Sequence, residues 1–544
     1  MSRISLPEYP SGVGVDGYNF ITTDQIFKKI PAGINSCNYD INIITLLPMN
    51  IKAISSNIGK ALLVNALFMM LSIIVSISDG FDEAFAPLMV SFLITSIAGA
   101  FPLIFVRHTQ ENSIKDGYIT MVAAWLMSFI VGMLPYVLYG GEFTLVNAWF
   151  ESVSGYATTG STILTDIESL PRSLLFWRSS THFIGGLGVV VFLLLIIPDA
   201  NSFKFRLSNL EVSTLSQYGY RYRRVNVPRI MLSVYVGLTV AETLLLMLAG
   251  MSFFDAINHS FSTIATGGFS TKNASIMHFD SPAIDIIIIV FMILASMHFG
   301  VIYAMLIKRS FAPIKNSVSA YYLNVIVVLS LFVTSVLMIQ GGYSSFGKAL
   351  LDSVFQVASF ISTTGFGNAD NALWPMLANM FLLFAAFHCG CSGSTTGGIK
   401  ADRMLIIFKE IRNEFKRRLH PSSIFRTKVD DHAINNDQVS AIFLYFVAYL
   451  FILFMSFIAV LMSGVEISDA FSGTLASLGN VGPGIDALGT MGNYASQPAF
   501  AKIIYTVAMF LGRLEIFPVL AILHLALNFR KKAPRISNAE EHSK

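Results

Sequence analysis

Charge is scarce in this sequence. Only 13% of its residues are Asp, Glu, Lys or Arg and 54% are hydrophobic, where soluble domains carry roughly 25% charge. With a mean hydropathy of +0.64, the chain cannot bury its apolar surface in one water-soluble core, so part of its solvent must be lipid. Cysteine is scarcer still. Cys37, Cys389 and Cys391 exclude a disulfide framework and give no paired zinc spacing. The opening MSRISLPEYPSG lacks the charged-then-apolar order of a cleavable signal peptide. A net charge of +3 decides nothing by itself.

Long apolar runs are what the sequence does have. A bilayer-spanning helix needs about 20 mostly apolar residues, and such runs occur at 59–79, 86–106, 117–139, 173–197, 229–251, 283–307, 321–342, 374–396, 439–464 and 501–527. Between certain pairs lie segments too short to cross, at 147–157, 255–265, 352–362 and 469–479. Each runs into a Gly/Thr or Gly/Asn stretch, so the order span, half-span, loop, span occurs four times. The basic residues sort by side. Loops 106–116, 198–229, 308–320 and 400–437 with the tail 528–544 hold 25 of the 36 Lys and Arg, whereas the alternate loops hold Arg172, Lys272 and Lys348. The positive-inside rule then predicts cytoplasmic basic loops and termini, with the four Gly-rich loops outside. The polar stretch 1–48 reads as a disordered leader or as residues preceding a physiological start at Met49.

Aligned on one glycine, the loops read TTGST (158–162), TGGFS (266–270), TTGFG (363–367) and NVGPG (480–484). In the second, Gly267 or Gly268 could be central. Thirteen residues before Gly160, Gly268, Gly365 and Gly482 stand Asn147, Asp255, Asp352 and Asp469. Asn and Asp are favoured helix N-caps, so each half-span is expected to start at that cap, and the offset selects Gly268. The chemistry follows from backbone geometry. Rings of backbone carbonyls can replace the water shell of K⁺, and the turn they require suits glycine. A re-entrant helix turns its negative C-terminal end toward a cation. Irregular backbone at membrane depth survives only where it is buried or lines water. The candidate K⁺-coordinating residues are therefore Thr158, Thr159, Gly160, Thr266, Gly267, Gly268, Thr363, Thr364, Gly365, Asn480, Val481 and Gly482.

Two features fall where a gate could stand. His388–Lys400 (HCGCSGSTTGGIK) interrupts a span with residues too small to hold a stiff helix against lipid, among them Gly390, Ser392, Gly393, Ser394, Thr395, Thr396, Gly397 and Gly398. It is not a phosphate loop, because Ile399 separates Gly398 from Lys400 and Ala401 follows. Cys389-x-Cys391 lacks further metal ligands. Arg513, within the run 501–527, is a costly intramembrane charge expected to face an aqueous path or to pair with Glu515 or with helix carbonyls. Arg178 and His182 read as packing or helix-end residues. His388 and nearby serines lack a third member for catalysis, so no enzyme is expected.

At this point the sequence resembles the Trk/Ktr/HKT superfamily of K⁺ transporters, specifically the TrkH/TrkG-type membrane subunit. The resemblance spans about residues 49–529 and rests on ESVSGYATTGSTIL, FSTIATGGFST, FHCGCSGSTTGGIK, LGNVGPG and GRLEIFPVL. It implies an all-α integral membrane protein with four membrane–pore–membrane repeats around a pseudo-fourfold pore plus an N-terminal helix pair. The expected divisions are a leader 1–48, the helix pair 49–116, repeats at 117–228, 229–320, 321–437 and 438–529, and a cytoplasmic tail 530–544. It further implies K⁺ uptake across the cell inner membrane, an intramembrane loop at 388–400, a pore-facing Arg513, a homodimer, and a cytoplasmic nucleotide-binding Trk/Ktr-type regulatory subunit. Lipid surrounds the chain, and neither nucleic acid nor a bound cofactor is implied, K⁺ being the transported ion. In the family, serine at the first filter glycine goes with Na⁺ transport, whereas Gly160 is glycine. Thr162 and Ser270 stand where a K⁺ channel carries a second glycine, which predicts looser selectivity. The competing expectation is a K⁺/H⁺ or K⁺/Na⁺ symporter working by alternating access, which also uses broken helices but needs intramembrane acids that are few here.

Overall fold

In lipid each backbone N–H and C=O must be satisfied within its own segment, so the apolar runs fold as helices. The computed structural model describes residues 50–106, 114–196, 227–423, 425–430, 432–520 and 522. The leader 1–48, most of the basic loop 198–229 and the tail 530–544 lie outside the described residues.

Asn50 caps α1 (Ile51–Ser78) by accepting a hydrogen bond from the Ala53 N–H at 3.2 Å. Its partner α2 is Phe85–Phe105. The two cross at glycines: a Cβ on Gly59 would lie 2.6 Å from the Gly99 carbonyl oxygen. Close approach at small residues is how helices associate in lipid, where apolar burial supplies no drive.

Thereafter a long helix, a short helix, a loop and a second helix recur. The first set is α3 (Ile114–Tyr139), α4 (Leu145–Tyr156) and α5 (Arg172–Ile196). The second is α6 (Val227–Leu248), α7 (Phe253–Ile264), α8 (Pro282–Ser296) and α9 (Phe299–Lys308). In the third, α10 (Ser317–Gln340), α11 (Phe346–Ile361) and α12 (Met376–His388) lead to α13 (Ala401–Leu419). A small hairpin, β1 (Lys428–Val429) and β2 (His432–Ala433), precedes the fourth set: α14 (Asn436–Leu461), α15 (Ile467–Gly479) and α16 (Ala499–Arg513).

Among the described residues, α1, α2, α3, α6, α10 and α14 are each long and apolar enough to cross a membrane. Three of the ten expected spans are not straight spans. The run 283–307 bends by 109° between α8 and α9, where Met297 is extended and His298 caps α9 by accepting from the Gly300 N–H at 2.9 Å. The run 374–396 leaves helix at His388, and α16 ends at Arg513.

The expected N-caps also need correction. Thr144 and Ser252 cap α4 and α7, accepting from Asn147 N and Asp255 N at 3.4 and 3.1 Å. Ser345 and Glu466 precede α11 and α15. Asn147, Asp255 and Asp469 are thus third helical residues, and Asp352 lies deeper in its helix. There two of them serve a different purpose. Asp255 accepts from Thr271 Oγ1 at 2.6 Å and Asp352 from Asn368 Nδ2 at 3.2 Å, each tying a short helix to the chain three residues past its own loop glycine.

The α1–α2 pair is bolted to this framework by polar contacts. Asn65 donates to Ser128 Oγ at 3.1 Å and accepts from Tyr156 OH at 2.6 Å. Tyr156 in turn sits over Gly132, where any Cβ would collide with its ring.

Candidate functional site

Just beyond each short helix stands a residue with left-handed backbone: Thr158 (φ 49°), Thr266 (55°), Thr363 (57°) and Asn480 (54°). Two residues later comes a glycine with positive φ: Gly160 (82°), Gly268 (82°), Gly365 (80°) and Gly482 (98°). Gly267 is not among the positive-φ residues, so Gly268 is the central glycine of the second loop.

These glycines lock the loops to one another. A Cβ on Gly160 would strike the Gly267 carbonyl oxygen, one on Gly268 that of Thr364, one on Gly365 that of Val481, and one on Gly482 that of Thr159. Every glycine abuts the carbonyl preceding the glycine of the next loop, and the fourth returns to the first. The ring closes. The left-handed φ alone would strain any other residue, and the close approach excludes even a methyl group.

A second ring lies two residues further along. The Thr162 carbonyl accepts from Tyr494 N at 2.8 Å, and the Ser270 carbonyl from Arg178 Nη1 at 3.3 Å. The Gly367 carbonyl accepts from Ile276 N at 3.0 Å and Met277 N at 3.2 Å, and the Gly484 carbonyl from Asn371 Nδ2 at 3.2 Å. Each donor belongs to the preceding set, the fourth serving the first. Serines brace the same segments from behind: Ser154 Oγ donates to the Ser161 carbonyl and Ser359 Oγ to the Phe366 carbonyl, both at 2.6 Å. Asn480, where the other loops have threonine, donates to Thr159 Oγ1 at 3.1 Å and to the Met509 carbonyl at 2.9 Å.

The segment between α12 and α13 packs directly against this assembly. Gly397 N donates to Thr363 Oγ1 at 3.3 Å, and its Cα faces the Asn480 side chain so closely that a Cβ would collide. Thr395 Oγ1 donates to the Ile264 carbonyl at 3.0 Å, at the C-terminal end of α7. Phe299 N donates to the Gly393 carbonyl at 3.1 Å and Cys391 N to the Ser296 carbonyl at 2.9 Å, so the bend between α8 and α9 supplies the segment's seat. Ser394 Oγ bonds the Cys391 carbonyl at 2.6 Å and Thr396 Oγ1 at 2.8 Å. Gly398 turns with φ 68° against Cys389. At its root, Ala401 N donates to the Gly390 carbonyl at 2.7 Å, Ser392 N to Asp402 Oδ1 at 3.1 Å, and Lys400 Nζ to the Thr396 carbonyl.

Arg513 reaches the same segment. Its guanidinium donates to the Thr395 carbonyl and, at 2.7 Å, to the Gly185 carbonyl of α5. Glu515 pairs instead with Arg403 at 2.7 Å, so of the two partners expected for Arg513, backbone carbonyls are the ones found.

Arg178 was expected to serve packing, and the structure gives it a larger part. It pairs with Glu151 at 2.7 Å, lies 3.9 Å over the Phe269 ring and bonds Thr162 Oγ1 at 3.3 Å. Its signal in the sequence was Glu151, a lone acid nine residues before Gly160 in an otherwise uncharged short helix. His182 lies stacked 4.0 Å from Phe269, with Nδ1 3.1 Å from Ser262 Oγ. Among the described residues, no group of three His, Cys, Asp or Glu side chains could hold a metal ion, and Cys389 and Cys391 are buried free thiols.

Helices long and apolar enough to cross a membrane, gathered around a closed ring of irregular buried backbone, define a multi-pass membrane protein with a polar centre. A family profile described as TrkH, cation transport protein, matches residues 86–532. The chain is 36% identical over 419 residues to the Trk system potassium uptake protein TrkH of Salmonella typhimurium, covering 76% of this chain and 86% of that one. It is 33% identical over 481 residues to TrkH of Escherichia coli K12, covering 87% and 98%. With the Trk system potassium uptake protein TrkG of Escherichia coli K12 it shares 30% identity over 412 residues, 75% of this chain and 84% of that one. The crystal structure of the potassium transporter TrkH from Vibrio parahaemolyticus superposes with a TM-score of 0.78 at 31% identity, covering 87% of this chain and 99% of that chain. The chain belongs to the TrkH family of cation transport proteins, and it is a transport protein rather than an enzyme.

Proposed function

We propose that this protein takes up K⁺ through a selectivity filter formed by residues 158–160, 266–268, 363–365 and 480–482. The observation that carries the reading is the closed ring in which each central glycine abuts the next loop's carbonyl. A filter must present oxygens at matched positions around one axis, and four covalently linked loops that touch in cyclic order meet that need. The four helix sets act as membrane–pore–membrane repeats about a pseudo-fourfold axis, with α1–α2 as an outer pair. The expected divisions at 49–116, 117–228, 229–320, 321–437 and 438–529 describe this arrangement.

The segment 388–400 is the gate, with Arg513 as its latch. Gly397 sits against Thr363 and Asn480, so the segment Gly390–Gly398 obstructs passage there, and Arg513 both tethers Thr395 and adds a cation-repelling charge. The gate runs without a break into α13, whose last turn carries Lys416, Arg417 and Arg418. A cytoplasmic nucleotide-binding regulatory subunit that moved α13 would move the gate. We place the protein in the inner membrane as a homodimer with both termini cytoplasmic, in keeping with its distribution of Lys and Arg.

Replacing Gly365 or Gly482 by a larger residue tests the reading. K⁺/Na⁺ discrimination in proteoliposome flux should fall while membrane insertion persists. Unchanged discrimination in both variants would end it.

One observation favours the second reading, proton-coupled symport. Glu242 is fully buried in α6, an intramembrane acid of the kind a proton path requires. K⁺ flux measured with and without an imposed proton gradient separates the two. K⁺ accumulation beyond the level set by the membrane potential would require coupling, and flux blind to the proton gradient would exclude coupling to protons.

A further inference from the structure

The donors serving the four carbonyls of this second hydrogen-bond ring are not equivalent. Three sets use neutral groups, namely the backbone N–H of Tyr494, the backbone N–H groups of Ile276 and Met277, and the Asn371 side-chain amide. The set containing α5 uses the Arg178 guanidinium on the Ser270 carbonyl. A full positive charge, with only 1% of its side chain exposed, therefore stands at the filter's edge in a protein that must attract cations.

Glu151 answers that charge. Its carboxylate is 0% exposed, takes Arg178 Nε at 2.7 Å, and accepts from Ile163 N at 3.1 Å and Thr162 Oγ1 at 3.0 Å. The corresponding residues, nine before each central glycine, are His259, Gln356 and Gly473. His259 Nε2 lies 2.9 Å from Ser270 Oγ, and Gln356 Nε2 donates to the Ala369 carbonyl at 2.9 Å. All three polar residues therefore hold the exit segment of their own loop, and only in the first repeat does the brace contain an ion pair. Thr162 and Ser270, the two positions lacking the second glycine, are the ones this pair and His259 hold.

We propose that Glu151 and Arg178 are positioning residues that together set the cation affinity of the filter. Arg178 joins the exits of the first two filter segments, and Glu151 cancels the charge that this joint introduces. The inference rests on reading the four loops as a K⁺ filter. Buried pairs behave asymmetrically: removing one partner leaves an uncompensated charge, and in a poorly screened interior that charge acts on its surroundings.

The test is the K⁺ concentration giving half-maximal uptake by the purified full-length protein in proteoliposomes. Glu151→Gln leaves Arg178 unbalanced and should raise that concentration on the order of tenfold, the scale of one partly screened unit charge, with a smaller change in maximal rate. Arg178→Gln leaves Glu151 unbalanced and should lower it. The double variant should return toward wild type, and Arg178→Lys, which keeps the charge, should stay near it. A purely structural pair would shift both single variants in the same direction and leave the double no better than either, and that outcome overturns the proposal. If Glu151→Gln fails to insert, the fall expected for Arg178→Gln decides by itself; if Arg178→Gln fails, recovery of the double variant relative to Glu151→Gln decides. Failure of the glycine test would remove the filter reading itself, whereas like-signed shifts here would leave the filter standing and remove only this charge balance.

Discussion

The guanidinium of Arg513 holds the backbone of Thr395. One end of it grips the Thr395 carbonyl in the segment between α12 and α13, and the other grips the Gly185 carbonyl of α5 at 2.7 Å. Three parts of the chain far apart in sequence are thereby pinned at one point, and charge-assisted hydrogen bonds of this type are about twice as strong as neutral ones.

Arg513→Ala should free Thr395 and remove the positive charge together, raising K⁺ flux several-fold. Shortening the segment by deleting residues within 391–398 should do the same. Isotope flux in proteoliposomes reads both, and wild-type rates in both variants would remove these elements from the gate.

The two glycines of the second loop offer a test of register. Gly268→Ala places a methyl group against the Thr364 carbonyl at a left-handed φ, whereas Gly267→Ala presses first on the His182 ring. The first variant should lose K⁺/Na⁺ discrimination. The second should retain it and show its cost as a lower thermal midpoint in detergent.

Asn480→Thr copies the residue found in the other three loops, yet it should not be neutral. It gives up the bonds to Thr159 Oγ1 and the Met509 carbonyl and puts a β-branched residue at φ 54°. Two lost hydrogen bonds of about 1 kcal/mol each predict a destabilisation of about 2 kcal/mol or more, measurable by thermal unfolding of the purified protein.

Cys391 offers a native reporter of the proposed gate. It is 1% exposed and packed beside Ser392, whose N–H and hydroxyl are both held by Asp402. Asp402→Asn weakens that hold, because a neutral amide oxygen replaces a charged acceptor. Modification of Cys391 by a membrane-impermeant thiol reagent, measured with Cys37 and Cys389 replaced by alanine, should be slow in the wild-type background and faster in the variant. Equal rates would show that Asp402 does not restrain the segment.

Much of this protein could be read from its residues in order. The apolar runs at 59–79 and 439–464 had to be helices, since lipid offers backbone groups no other partner. The Thr-x-Gly pattern marked three of the loops and Asn-Val-Gly the fourth, and an offset of thirteen residues selected Gly268 as the positive-φ glycine, although for the wrong reason. Asn147, Asp255 and Asp469 are third helical residues whose caps are Thr144, Ser252 and Glu466. At two of the four positions the residue ties down chain beyond the glycine, Asp255 holding Thr271 and Asp352 holding Asn368. That bond runs across the loop, so no rule about a helix end could have found it.

Hydrophobic periodicity and glycine placement are local properties, and the sequence by itself determined what depends on them: the membrane setting, the fourfold order and the residues of the four loops. Tertiary structure decided who touches whom. The bend at His298 is not foreseen by an apolar run, because it exists to seat Gly393 from another repeat. Arg513 could have met Glu515, two residues away, but Glu515 was claimed by Arg403 and Arg513 turned to Thr395. Buried charges and orphan carbonyls must find partners wherever the fold brings them, and that choice is made only when distant segments converge.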